Sequence, residues 1–328
     1  MQIFSGFRTL VYLCAMTKNT LSWILLLLLA SIWGSSFILM KRGMESLDGT
    51  PLFSAVQVAS LRMSIAATVL LPFSLLFLHR IKTFRQVYCL LIVGFAGSFF
   101  PAFLFTYAET GISSGYAGML NSFTPVFTMI VGAFVFRQRL TRMQVLGVAI
   151  AGIGIVLLMI AGKQLSISGG WMHIFAIIFA TLLYGISLNT VKHTLQGFKS
   201  LEITSLSLFF VLVPALVIAY CSGTIETLQT VPQATEGLGF ICILSLASTA
   251  FAGVIYNRLI SVSSTLFASS TTYFMPIVAI FFGLGFGETV NIYQIGAMVI
   301  VLSGVFIGTK SKAGKSEVIQ SEVQGVKN

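Results

Sequence analysis

The sequence predicts an all-α polytopic membrane protein, with ten transmembrane helices set as two inverted five-helix repeats. Three observations lead there. First, 56% of the 328 residues are hydrophobic and only 9% are charged, against roughly 45–50% and 25% in soluble domains. Second, ten apolar stretches each approach the ~20 residues that a membrane-spanning helix needs. Third, one short stretch occurs twice. Trp33-Gly34 is followed seven residues after the glycine by Lys41, and Tyr184-Gly185 is followed by Lys192, at an offset of 151. The same offset carries Pro125 onto Pro276. Self-similarity at a fixed period signals repeated architecture.

Taken in order, the spans are expected over 21–40, 52–78, 87–108, 113–136, 143–161, 171–191, 203–220, 238–257, 265–286 and 291–309. The run over 21–40 carries no charge and is too long for a signal-peptide core. The third and fourth spans are separated only by Glu109-Thr-Gly111-Ile112, which suits a tight helical hairpin. Arg258 and the serines around Ser261 divide the eighth from the ninth. The repeats therefore occupy 21–161 and 171–309, flanked by a cytoplasmic tail over 1–20 and a polar, disordered cytoplasmic tail over 310–328. Met16 opens a second plausible start, so residues 1–15 read either as a disordered tail or as lying outside the native start.

Orientation follows from lysine and arginine. With the N-terminus inside, 15 basic residues fall in cytoplasmic gaps and 3 (Lys41, Arg42, Lys163) fall outside. Both termini are then cytoplasmic. The net charge of +10 marks cytoplasmic loops and does not indicate a nucleic-acid partner. Five spans per half is an odd number, so the second half must insert upside down. Matched loops agree: Glu109 outside corresponds to Arg258 inside, and Gln138-Arg139 inside corresponds to Glu288 outside.

Trp33-Gly34 with its downstream lysine, Arg62 in the second span, Pro125 and Pro276, and the ending Gly287-Glu288 with Gln294, Gly296 and Gly304 together resemble the EamA family of the drug/metabolite transporter superfamily. The resemblance covers 21–309. It implies an inner-membrane carrier for small polar or amphipathic metabolites such as amino acids, often an exporter. Gln138 stands where the family pattern has an acid, which weakens the case that a loop acid there is needed in both halves.

Ten residues are expected along the substrate pathway: Trp33, Arg62, Asn121, Thr124, Pro125, Tyr184, Asn189, Thr272, Tyr273 and Pro276. An intramembrane arginine faces protein or water, so Arg62 reads as a counter-charge for an anionic group or as a structural pin for carbonyls. Proline inside a helix frees a carbonyl, either for substrate or as a plain packing kink. Trp33 and Tyr184 sit deep in their spans, to stack on substrate or to pack on a neighbouring helix. Asn121, Thr124, Asn189, Thr272 and Tyr273 are polar groups that lipid cannot satisfy. Ser187, Gln57 and Ser64 are candidates of the same kind. Lys41 and Lys192, at span ends, read as snorkelling anchors, and the paired glycines as helix-packing positions.

No catalytic chemistry is assembled. The chain lacks a phosphate-binding G-x-x-x-x-G-K-[ST] loop, a His/Cys metal spacing and a triad, so no cofactor, no metal and no enzymatic activity are expected. The partners implied are a small-molecule substrate and the bilayer, with monomer and dimer both left open. No carboxylate is plainly intramembrane. Coupling is expected to be passive or undefined, with Glu109 the end-of-helix acid that would otherwise serve. Secondary transport by alternating access leads. A scaffold or sensor subunit, and an enzyme acting on lipid-linked substrate, are the alternatives.

Overall fold

The computed structural model describes the backbone of residues 2–163, 170–263, 265–304 and 306–308. The tail expected over 310–328 lies outside the described residues. Helix α1 runs Gln2–Met44, with Thr20–Met44 as its apolar part. The backbone of residues 2–19 thus continues a helix, where a disordered tail was one expectation. That stretch holds no proline and is rich in apolar residues, so nothing in it halts helix propagation. Then come α2 Ala55–Arg80, α3 Phe84–Glu109 and α4 Ser114–Phe134, and α5 Arg142–Lys163. They are followed by α6 Gly170–Thr194, α7 Ser200–Cys221, α8 Ala234–Val262, α9 Phe267–Gly285 and α10 Ile292–Gly308. Eight of these are long and apolar enough to cross a membrane. In α5 and α10 the apolar helices Arg142–Leu158 and Ile292–Gly308 fall in a shorter class of 10–17 residues.

The bundle is apolar outside, and polar side chains of its spans are gathered inside among an apolar core. Phe73, Phe134, Val213 and Phe281 are exposed, while Ser60, Ser74, Thr106, Asn121 and Thr181 are buried. Lipid offers hydrogen bonds to no one, so hydroxyls and amides turn inward and bond to backbone. Ser74 Oγ shows this, donating to Leu70 O at 2.9 Å and to Ser205 O of α7 at 2.8 Å. This is the fold of a multi-pass membrane protein.

The repeated aromatic–glycine stretch has a packing cause. A Cβ on Gly34 would sit 2.9 Å from Met275 O and 2.5 Å from Val278 Cβ of α9. A Cβ on Gly185 would sit 2.9 Å from Phe127 C and 3.0 Å from Thr128 N of α4. Each glycine marks the point where α1 crosses α9, or α6 crosses α4, closely enough to exclude any side chain. Gly185→Ala should therefore cost about 1–3 kcal/mol, the usual range for overpacking. A lowered thermal midpoint in detergent, read by size-exclusion survival, checks it.

The halves mirror one another elsewhere. A π-helical segment interrupts α3 at Phe95–Phe99 and α8 at Leu244–Phe251. Helix α4 breaks at Ser122–Phe123, between Ser114–Asn121 and Thr124–Phe134. Helix α9 breaks at Ser270, just before Thr271–Gly285. These two helices lie antiparallel: a Cβ on Gly118 would fall 2.7 Å from Ala279 Cβ, and Ser122 Oγ donates to Thr272 O at 3.3 Å. Helices α5 and α10 also cross antiparallel, with Gly147 against Gly304 and Gly308, and Gly154 against Val301. The expected packing role of Gly304 and Gly308 is thus present. Gly287 differs, since it caps α9 at φ +83°.

Its counterpart, 150 residues earlier, is Arg137 at φ 52°. A non-glycine residue held left-handed costs roughly 1–2 kcal/mol. Arg137→Gly should recover about 1 kcal/mol, seen as a raised thermal midpoint of the purified chain.

Candidate functional site

A cavity of about 140 Å³ lies at the centre, between α1–α4 and α6–α9. Its walls are largely aromatic and hydroxylated. Trp33 and Tyr256 meet edge to face at 4.7 Å, and Phe105 and Tyr184 stack at 6.0 Å. The π-helical turn of α8 helps place Trp33, because Ser248 O in that turn accepts its indole N–H at 2.9 Å. A π turn shifts carbonyls out of the ordinary ladder, and the indole takes one up.

Arg62 supplies the charge. It reaches the cavity from α2, where Nε donates to Thr249 Oγ1 at 2.8 Å and Nη1 lies 3.4 Å from the Met40 sulfur. Neither partner is a backbone carbonyl. A guanidinium carries five donors, so most of the fork is left to face the cavity.

Six of the ten pathway candidates line this space: Trp33, Arg62, Asn121, Thr124, Tyr184 and Thr272. The other four lie behind the wall. Asn189 is buried and gives its amide to Thr128 O at 3.0 Å and Gly185 O at 2.8 Å, holding α6 to α4. Tyr273 packs beside Val126, Ala151 and Val301. Pro125 occupies the first turn of Thr124–Phe134, not a helix interior. The carbonyl four residues before it, Asn121 O, accepts from Thr124 Oγ1 at 2.9 Å. Pro276 is inside its helix, and the carbonyl it frees, Thr272 O, accepts from Ser122 Oγ. Both proline-linked carbonyls are therefore occupied by hydroxyls. Among the further candidates, Ser187 lines the cavity. Gln57 instead closes the capping box of α2 with Ser54 and bonds Ser222 O, which caps α7, and Thr227 Oγ1 in the short helix Thr224–Thr230 that follows.

Sequence reasoning missed Ser98, Thr204, Ser207, Ser248, Thr249, Tyr256 and Asn257, all on the wall. The available signal was the density of hydroxyls inside apolar spans, notably Ser245 to Thr249. Repeat matching would not have found Tyr256, because its counterpart Tyr107 faces outward and stacks on His173 at 4.6 Å.

The two ends of the bundle differ. Toward the start of α7 the lining continues through Val191, Thr204, Asn257 and Ile260. At the opposite end Lys41 closes on Glu288. Lys41 Nζ is 3.0 Å from Glu288 Oε1, and that carboxylate also accepts from Ser114 N at 3.0 Å and Gly115 N at 3.1 Å. One carboxylate thus joins the C-terminal end of α1, the N-terminus of α4 and the loop after α9. Lys41 is an ion-pair partner, correcting the snorkelling reading. Burial raises the Glu288 pKa, but the Ser114 and Gly115 amides and Lys41 outweigh it and hold the carboxyl below its ordinary value. Gly283 is required here, since a Cβ would sit 2.6 Å from Glu288 Oε2. The pair lines a polar vestibule of about 500 Å³, together with Glu109 and Tyr116. At the other end the matched Gln138 gives its amide to Asn189 Oδ1 at 3.2 Å and meets the His193 ring at 2.6 Å.

The chain is similar to several known proteins. A probable amino-acid metabolite efflux pump of Salmonella typhimurium is 29% identical over 293 residues, covering 86% of this chain and 93% of its own. A probable terminal-alkyne amino-acid exporter of Streptantibioticus cattleyicolor is 24% identical over 268 residues, covering 79% and 82%. A solved protein structure at 15% identity superposes with a TM-score of 0.58 over 90% of this chain and 97% of its own, a likeness of fold alone. The model of the EamA-like transporter family matches residues 21–160 and again 171–309. With both matches lying on the two halves that surround the cavity, the chain belongs to the EamA-like transporter family.

Proposed function

We propose that this chain is a secondary transporter that exports small amphipathic metabolites such as amino acids across the inner membrane by alternating access. The observation that carries the reading is Arg62 projecting into an aromatic, hydroxyl-lined cavity, with the Lys41–Glu288 ion pair across one end of the bundle. The names of the two relatives support the substrate class. A guanidinium holds a carboxylate through two parallel charge-assisted bonds, and the rings of Trp33, Phe105, Tyr184 and Tyr256 offer apolar surface for a side chain.

All ten helices span, as inverted repeats over 21–161 and 171–309. The antiparallel α4/α9 and α5/α10 crossings and the paired π turns support this. The end bearing Arg80, Arg139, Lys192 and Lys199 is cytoplasmic under the positive-inside rule, with both termini there. The cavity then faces the cytoplasm, and Lys41–Glu288 is the closed outer gate. Substrate enters past Asn257 and Thr204, and its carboxylate meets Arg62. Its binding shifts the population toward a state in which the outer pair parts and the inner end closes. The breaks in α4 and α9 supply the hinges. Trp33, Asn121, Thr124, Tyr184 and Thr272 shape the pocket, while Asn189, Pro125, Tyr273 and Pro276 hold the helices that form it.

Counterflow in proteoliposomes tests the proposal. Vesicles loaded with unlabelled amino acids should accumulate the matching labelled amino acid transiently, and protein-free vesicles should not. If no member of a broad amino-acid and carboxylate panel exchanges, and the purified chain binds none, the carrier reading is wrong.

A further inference from the structure

The central cavity carries charge of one sign. Among the described residues, Arg62 is the one charged side chain on its wall, and a guanidinium stays protonated at any pH a cell meets. Each described carboxylate is engaged or placed elsewhere. Glu202 is held by Arg80 at 3.3 Å and by the Lys199 amide at 2.9 Å. Glu288 is held by Lys41 and two backbone amides. Glu109 lies one helical turn beyond Phe105 on α3, but both of its oxygens are buried away from any ligand. Glu45 lines the outer vestibule, and Asp48, Glu226 and Glu236 are exposed.

The rest of the wall is neutral, and several of its hydroxyls have committed their protons to backbone. Ser36 Oγ donates to Trp33 O at 2.6 Å, Ser207 Oγ to Thr204 O at 3.1 Å, Ser248 Oγ to Ile32 O at 3.3 Å, and Thr272 Oγ1 to Ser269 O at 2.8 Å. What such a hydroxyl offers a ligand is a lone pair. Phe105 and Tyr184 stack on each other, so each already gives one face to its neighbour. A ligand ammonium would exchange water for neutral oxygens and the remaining ring faces, with no anion to neutralise it. The ammonium of an α-amino acid also stands beside its carboxylate. Binding that carboxylate at Arg62 brings two cations close together, and like charges repel more strongly in a cavity than in bulk water. A hydroxyl in place of the ammonium meets no such cost and can donate to the same lone pairs.

We infer that this cavity recognises the carboxylate and not the amino group, so that its preferred substrates are monoanionic carboxylates with a neutral, apolar body. The inference rests on the carrier reading above and narrows its substrate class. The hydroxy-acid counterparts of apolar amino acids belong to this class. The zwitterionic amino acids bind at the same place, more weakly. Cationic ligands are excluded, because Arg62 repels them and nothing on the wall offsets their loss of water. A monoanion leaving the cell also carries one net negative charge outward, the direction that an inside-negative potential favours.

Ligand pairs that differ in one group test this on the purified full chain. The probes are L-phenylalanine against L-phenyllactate, and L-leucine against L-leucate, with L-phenylalaninamide as the cation. In each pair a hydroxyl replaces an ammonium of nearly the same size, and the carboxylate and body are unchanged. Equilibrium binding at neutral pH should favour the hydroxy acid by about tenfold, the scale of a like-charge contact removed from a poorly screened site. Phenylalaninamide should not compete with either member of its pair. Amino acids that bind at least as tightly as their hydroxy acids, or a phenylalaninamide that competes, overturn the inference and leave the carrier reading intact. Binding by none of the five also overturns it, and the wider exchange panel then decides the carrier reading separately.

Discussion

Arg62→Ala binds carboxylate substrates about 10–150-fold more weakly, the loss expected when a charge-assisted hydrogen-bond partner worth 1.5–3 kcal/mol is deleted. Its folded yield stays near that of the parent chain. The argument turns on what Arg62 touches. An arginine that pins the fold does so by saturating carbonyls, whereas Arg62 meets the Thr249 hydroxyl and the Met40 sulfur. Removing the side chain leaves one hydroxyl without a donor and enlarges a cavity that already exists. Among the described residues it strands no ion-pair partner. Arg62→Lys should fall between the two, because an ammonium keeps the charge but loses the planar fork. Thr249→Val should cost little, since it frees Nε without removing the cation. Equilibrium binding of labelled amino acids to purified protein, beside size-exclusion yield, separates the two roles. Lost yield with intact binding in the fraction that folds would return Arg62 to a structural part.

Much of this was legible in the sequence because membrane constraints act residue by residue. A span must be apolar and long, so helix positions could be read directly. The repeat was legible because Gly34 and Gly185 answer the same steric demand at two crossings, and no other residue fits either. The wall of the cavity was only partly legible. Trp33, Arg62, Asn121, Thr124, Tyr184 and Thr272 stand out as polar or aromatic groups deep in spans. Ser98, Thr204 and Thr249 do not, because a hydroxyl can always bond its own helix backbone and so carries no demand for a neighbour. Asn189 and Tyr273 announced themselves equally well, yet they serve contacts between helices. Polarity alone signals an inward face, and which inward face depends on helix rotation. The prolines left two readings open for a related reason. A freed carbonyl is visible in the sequence, but the serine or threonine that reclaims it is one hydroxyl among many. Glu109 was read as an end-of-helix acid because hydropathy cannot tell a helix end in water from a buried one.

Glu288→Gln opens the outer side. Glu288 accepts two backbone N–H bonds and a lysine with two oxygens. Glutamine offers one oxygen, and its NH₂ would confront an N–H. Breaking a fully buried pair costs roughly 3–5 kcal/mol. Lys41 keeps 21% of its side chain exposed, so about 2 kcal/mol of lost closure is the better figure. That shifts the balance of outward-open to outward-closed states by about 30-fold. Phe37→Cys in a cysteine-free background places a thiol on the cavity wall, and a membrane-impermeant maleimide added outside should label it about 30-fold faster in Glu288→Gln. The two backbone donors and Lys41 together hold the Glu288 carboxyl below its ordinary value of 4.5, against the opposing effect of burial. The pair's contribution is therefore fully present above pH 4.5 and is lost only as pH falls through the lower value of the closed state. Labelling of the parent chain, divided at each pH by the rate of a fully water-exposed thiol to remove the thiolate dependence of the reaction, should then be flat from neutral pH down to that limit and rise only below it. Gly283→Ala should imitate Glu288→Gln without touching a charge, because its Cβ would take the place of the carboxylate. Equal labelling rates in the parent and Glu288→Gln would mean that something other than this pair closes the outer end. The matched position in the first half already carries glutamine, Gln138, and the cavity extends toward that end. On this reading the asymmetry of the two ends is the difference between one carboxylate and one amide.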